Sequence, residues 1–451
     1  MGREADQQII AQYGLYDDPE LQAYLDRVAQ RVLAESHVRR PDADEEFRNT
    51  PFTFRILDSP VVNAFALPGG FVYVTRGLMS YMENEAQLAV VLGHEIGHVE
   101  ARHASQQALQ QQLGQIGLLG GAIIGQEVLN LPAQDILNVA GTATQLLFLK
   151  YGRDDERESD QLGVEYAALA GYRAEEGAAF FQTLKRISAR QGEAIPTFLS
   201  SHPDPGEREQ TIVDLAAQWE SRTNMTTVNQ DELYAALEGM VVGENPRHGF
   251  VQNGVFYHPD LRFRFPVPSG YQLVNQARQV VMLEPNQQAI MIFTIAQQNS
   301  ARAAAEAFAG QQGLQVVENG AARAGDLPAY YLVADAQTQQ GQTVRLLSYY
   351  VEYGGAVYQF LAYTPQQVFS NFQNTFLGTM RGFAPLTEAS MLNVQPVRMR
   401  IVSAPRTAPF RTFVNEGELP PGFDAQEMAI LNQVDADTSI PQGRPLKLTR
   451  R

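Results

Sequence analysis

The stretch Asn84-Glu85-Ala86-Gln87-Leu88-Ala89-Val90-Val91-Leu92-Gly93-His94-Glu95-Ile96-Gly97-His98 decides what kind of fold this chain has. Asn84, with Gln87 three residues on, has the form of a capping box, and Leu88, Val91 and Leu92 recur at helical spacing. The pattern predicts a helix from near Asn84 to beyond Arg102. Inside it, the HExxH string sets His94 and His98 one helical turn apart on the same face, so both imidazoles can reach one ion. Glu95 is rotated from His94 by about 100°, which leaves it free to act as a base on a water beside that ion.

Upstream, Leu21, Tyr24, Leu25, Val28 and Val32 predict an amphipathic helix capped by Asp17-Asp18-Pro19. Residues 52–57 and 70–75 read as strands, the second after the turn Pro68-Gly69-Gly70. Residues 71–75 are a candidate sheet edge onto which an extended chain could add. Downstream come a glutamine-rich helix and an apolar, glycine-rich patch at 113–125, too short for a membrane span of about 20 residues. Residues 113–149 are read as buried core, with a lid or membrane-contacting patch as the alternative. A further helix is expected at about 154–171, and the polar run 221–245 reads as helical surface or connection.

A catalytic zinc usually takes three protein ligands. The chain has no cysteine and only 7 histidines, which excludes thiolate sites, disulfides and cysteine nucleophiles. Ala101 and Ala104 stand where a third histidine on an HExxHxxGxxH pattern would need Gly and His. His103 would lie about 140° around a continued helix from His98, which suggests a surface residue or an outer partner. That leaves a carboxylate on a later helix, with Glu127, Glu156, Glu158 and Glu165 as choices. Glu156 is preferred because it shares a face with Asp160, so one can bind the metal while the other orients an imidazole N–H.

Four segments carry a resemblance: Val62-Asn63-Ala64-Phe65-Ala66-Leu67-Pro68-Gly69-Gly70, the HExxH block with Glu100-Ala101-Arg102-His103, Glu156-Arg157-Glu158-Ser159-Asp160, and Ser201-His202-Pro203. Together, over roughly residues 5–220, they resemble the M48 peptidases, gluzincin-type zinc proteases that include HtpX-like and BepA-like members. The resemblance implies a zincin-type fold, Zn2+ held by His94, His98 and Glu156, Glu95 as general base, and Asp160 behind a ligand. It also implies His202 as a fourth, displaceable ligand or an oxyanion stabiliser, assisted by Arg208 in the same loop. The implied substrates are unfolded or extended proteins or peptides, and the implied location is a bacterial periplasm or envelope, with the signal segment absent from this sequence. The chain departs from the family branches in showing neither a tetratricopeptide array nor membrane spans, so their partners do not transfer.

The expected fold class is α+β, in three parts. Residues 1–245 form a mainly helical protease domain with a small sheet. Residues 246–388 form an α+β domain whose strand and helix order resembles the PsbP/Mog type, with a hairpin at Tyr353-Gly354-Gly355-Ala356 and helices at 301–311 and 366–380. Residues 389–451 resemble a small LysM-type module. His248 and His258 have no partners at metal spacing and read as structural or exposed. A formal charge of -16, from 34 basic and 50 acidic residues, argues against a nucleic-acid partner. Contact with a membrane surface or peptidoglycan is left open, as is the oligomeric state. The competing function is a zinc-binding adaptor or cell-wall-binding protein, inactive or latched shut by His202; an intact Glu95 favours catalysis.

Overall fold

The computed structural model describes residues 2–103, 151–191, 198, 202, 205–337 and 341–451. The glycine-rich patch, the segment 113–149 and Glu127 lie outside them. The described chain is α+β and divides into two compact units: one takes residues up to 244 together with 396–451, the other residues 245–395.

In the first unit, helix α1 (Gly2–Tyr13) precedes α2 (Pro19–Ala34), which is capped by Asp18 accepting from the Leu21 N–H at 3.0 Å. Strands β1 (Thr53–Leu57), β2 (Ala64–Leu67) and β3 (Phe71–Thr75) form a sheet in the order β1-β3-β2. Gly69 and Gly70 turn the chain between β2 and β3 at φ +92° and +84°, and a Cβ on Gly70 would strike the Pro51 carbonyl. The segment 71–75 is therefore the central strand, parallel to β1 and antiparallel to β2. This corrects its expected edge position: alternation marks a strand but not its neighbours, and the four residues of β2 are too short to stand out as one.

Helix α3 (Glu85–Glu100) carries the HExxH string, and Asn84 caps it by accepting from the Gln87 N–H at 3.0 Å. The reciprocal bond differs from a simple capping box, because Gln87 accepts from the backbone of Glu83. Helices α4 (Arg153–Leu169), α5 (Glu176–Gln191), α6 (Pro205–Trp219) and α7 (Gln230–Leu237) follow. Every residue of α3 from Glu85 to His98 is buried, so the metal-binding string lies inside the unit.

Residues 396–451 do not form a core of their own. Met399, Phe410, Met428, Leu431, Ile440 and Leu446 join the same apolar cluster as Leu88 and Leu92 of α3. Strand Arg398–Ser403 pairs antiparallel with Pro445–Arg450, and the backbone of Met399 bonds that of Met240. Lys447, fully buried, donates to the Ser80 and Met82 carbonyls and pairs with Glu83 at 2.9 Å. The C-terminal stretch thus clamps the turn that launches α3, a packing relation no local pattern encodes.

The second unit holds a seven-stranded antiparallel sheet from Gln272–Asn275 at one edge to Leu314–Ala324 at the other. Helices Ala301–Ala309 and Phe369–Arg381 pack in separate apolar clusters with the sheet, as the two helical stretches in the sequence suggested. The expected hairpin closes with Tyr353 opposite Ala356, and Gly354 and Gly355 take the positive φ such a turn requires. His258 accepts from the Leu261 N–H and His248 contacts Asn245, so both play local structural roles.

Candidate metal centre

Three glycines set the spacing of α3 and α4. A Cβ on Gly93 would stand 2.8 Å from the Gly163 carbonyl, one on Gly163 2.8 Å from the His94 nitrogen, and one on Gly97 3.2 Å from Leu162. Because these three positions put no side chain between the helices, the first turn of α4 lies directly against the histidine face of α3. Asp154, Asp155 and Glu156 all occupy that first turn, where the helix dipole favours carboxylates.

His94, His98, Glu156 and His202 converge with one ligand atom each, all within 4.8 Å of one another. The His94 and His98 Nε2 atoms lie 2.9 Å apart. His202 Nδ1 is 2.9 Å from Glu156 Oε1, and its Nε2 is 3.6 Å from Glu95 Oε1. Behind them, His94 Nδ1 contacts Asp160 Oδ1 at 2.9 Å. Arg208 bridges two carboxylates of α4, reaching Asp160 through Nε at 2.8 Å and Glu156 through Nη1 at 2.7 Å. Aromatic rings close the site: Tyr151 stacks on His98 at 3.8 Å, Phe198 on His202 at 4.5 Å, and Phe181 lies under the Arg208 guanidinium at 4.3 Å.

The electrostatics prepare these groups for a cation. Burial, then the neighbouring His94, pushes the His98 imidazole well below its usual value, and burial with Arg208 lowers His94. Both rings are therefore neutral. Burial opposes ionisation of Glu156, but His202 and Arg208 hold it well below the ordinary carboxylate range; Asp160 is lowered likewise, by Arg208 and His94 against its burial. At Glu95 the balance is the opposite, because burial outweighs the same two cations. Burial pushes its carboxyl up to about 7, with His202 and Arg208 pulling against that and Glu156 adding to it.

Whether a metal fits can be read from the proton inventory. With His94 Nδ1–H donating to Asp160 and His98 Nδ1 turned outward to His103, both Nε2 atoms present bare lone pairs to each other at 2.9 Å. His202 Nε2 and both Glu95 oxygens are buried without a hydrogen-bond partner. A cation resolves the facing lone pairs, and imidazole with carboxylate is a donor set that zinc takes. The residues present fit Zn2+.

His94, Glu95, His98, Glu156, Asp160, His202 and Arg208, all singled out in the sequence, lie together at this centre. Arg208 sits on helix α6 rather than in the loop of His202, which fixes its guanidinium over two carboxylates. Of the rejected glutamates, Glu165 pairs with His37 and Arg40, and Glu158 faces His103. Ser201 and Pro203 lie outside the described residues. Tyr151, Phe181 and Phe198 were not legible, since a lone aromatic carries no spacing signal. Of the two places expected for His103, the structure shows the outer partner and not the surface: the helix ends at Glu100, and the buried ring lies 2.9 Å from His98.

Residues 19–216 match the family model for Peptidase family M48. The chain is 29% identical over 236 residues to the beta-barrel assembly-enhancing protease of Yersinia pestis, covering 51% of this chain and 46% of that protein. It is 34% identical over 170 residues to the mitochondrial metalloendopeptidase OMA1 of Bos taurus, covering 36% and 32%. The matched stretch thus spans less than half of either relative. Among solved structures, cyanobacterial PsbP from Synechocystis aligns at 12% identity and TM-score 0.24, covering 29% of this chain and 91% of that one.

Proposed function

We propose, from a domain of peptidase family M48 over residues 19–216, that the chain is a zinc metalloendopeptidase that hydrolyses peptide bonds in unfolded or extended proteins of the bacterial envelope. The observation that carries the reading is Glu95: a fully buried carboxyl group with neither oxygen in a hydrogen bond, beside three converging imidazoles and Glu156. A structural metal site has no use for such a group, whereas a hydrolase needs a base there.

His94, His98 and Glu156 would hold the zinc, which when bound supplies Lewis acidity to the water and to the scissile carbonyl. Glu95 takes the proton from water as the oxygen adds to the carbonyl carbon, and passes it to the leaving nitrogen as the C–N bond breaks. Asp160 fixes the His94 tautomer, and Arg208 keeps Glu156 and Asp160 ionised. His202, within 3.6 Å of Glu95 and 2.9 Å of Glu156, would steady an oxyanion, or cover the centre until substrate displaces it. Because β3 is central, an extended substrate would add to β2, an outer strand of this sheet among the described residues.

A second reading, a latched or inactive zinc-binding adaptor, is favoured by one feature: His202 is fully buried in the cluster. Zinc content and cleavage of unfolded casein, measured together, separate the two. Under the protease reading wild type binds one zinc and cleaves, Glu95→Gln binds zinc with cleavage reduced by about 10² to 10⁴, and Glu156→Ala loses both. Zinc binding without cleavage in wild type, with cleavage released by His202→Ala, supports the latch; no cleavage from either protein supports the adaptor.

A further inference from the structure

Beyond the centre itself, a histidine outside the HExxH string reaches one of its ligands. Helix α3 ends at Glu100 with Ala101 as its cap, and Arg102 then takes a left-handed conformation at φ 59°. A non-glycine residue pays about 1 kcal/mol or more for that conformation, and its effect is to fold the chain back under the last turn. His103 thereby comes to lie with its Nδ1 2.9 Å from His98 Nδ1, in edge-to-face ring contact at 5.1 Å. The imidazole is buried at 3% exposure. Its other nitrogen, Nε2, faces Glu158 at 3.4 Å and Asp155 at 3.7 Å, and Ser159 Oγ lies 3.4 Å from Nδ1.

The two Nδ1 atoms, 2.9 Å apart and outside the ring of converging ligand atoms, share no cation and so require one donor and one acceptor. His98 turns Nε2 toward His94 and the converging ligand atoms, so that nitrogen must be the bare one and the proton must sit on Nδ1. It follows that His98 Nδ1–H donates, His103 Nδ1 accepts, and His103 carries its own proton on Nε2, toward the two α4 carboxylates. A ligating imidazole commonly donates its second N–H to a carboxylate or carbonyl. Here a second imidazole takes that place, and it is held by the helix that also supplies Glu156.

We propose that His103 is a positioning residue for the metal centre: as hydrogen-bond acceptor for His98, it fixes the tautomer and ring orientation in which Nε2 can bind zinc, and it couples that ligand to Asp155 and Glu158 of α4. The inference rests on the zinc reading above and adds a residue to it. Asp160 does the same for His94, so each HExxH histidine is held from behind by a different group.

The test uses the full chain and zinc, titrated against a competing chelator, with thermal melts of the metal-free proteins in parallel. Wild type and Glu95→Gln binding zinc with equal affinity establishes the centre without reference to His103. His103→Ala is expected to weaken zinc binding by about 10- to 100-fold. His103→Asn, whose amide oxygen takes the place of the Nδ1 acceptor, is expected to recover most of that loss. In the cobalt-substituted protein, the shifted His98 Nδ1–H resonance should persist in wild type and His103→Asn and exchange away in His103→Ala. If wild type binds zinc and His103→Ala binds it equally well, or if His103→Asn is as weak as His103→Ala while melting like wild type, the proposal is overturned. If wild type binds no zinc, the metal reading falls first and this one with it.

Discussion

Gly93 of α3 and Gly163 of α4 meet backbone to backbone: a Cβ on either would come within 2.8 Å of main-chain atoms of the other helix. This approach, made possible by the missing side chains, is what brings Asp160 to 2.9 Å from His94 and Glu156 to 3.3 Å from His98.

Gly163→Ala is accordingly expected to separate the helices. The added carbon faces the His94 nitrogen, His94 Cα and the Val90 carbonyl, none of which can swing aside. Overpacking of this kind costs about 1–3 kcal/mol, and zinc affinity should drop with it because the carboxylates retreat from the imidazoles. Denaturant melts of the metal-free protein and zinc titration check both effects; unchanged zinc affinity would show that the spacing is set elsewhere.

Gly378→Ala is the contrasting case. This glycine lies inside helix Phe369–Arg381 with nothing within 4 Å of an added Cβ. Relief of backbone entropy should stabilise the second unit by about 0.5–1 kcal/mol, read as a shift in its unfolding midpoint.

Lys447→Met keeps the volume and removes the charge. The Ser80 and Met82 carbonyls and one Glu83 oxygen then lose their buried donor, although Glu83 keeps Tyr234 at 2.8 Å. Breaking a buried pair from one side costs about 3–5 kcal/mol. Because Lys447 secures the turn before α3, amide exchange at the start of that helix should quicken as well.

The second unit should weaken in mild acid. Burial, against Asp260 and aided by His248 and Arg247, lowers His258 from 6.5 to about 4. Between those values the unfolded chain takes up a proton that the folded one refuses, so stability is full above pH 6.5 and falls as the pH drops toward 4. After discounting for partial exposure, the loss is on the order of 1–2 kcal/mol. His258→Gln should flatten that part of the stability profile, and an unchanged slope would place the acid sensitivity elsewhere.

What the sequence determined by itself was whatever hydrogen bonding and side-chain period settle within a few turns. Asn84 capping α3, the one-turn spacing of His94 and His98, the shared face of Glu156 and Asp160, and the glycine pair at 354–355 are all properties of short segments. Tertiary structure alone decided the rest: the central place of β3, the entry of residues 396–451 into the first unit's core through Lys447 and Leu446, the Arg208 bridge from α6, and the return of His103 to His98. Each depends on groups far apart in the chain, or on a backbone turn at Arg102 that its side chain does not favour. Their energies come from desolvation and close packing, which exist only once the pieces have met.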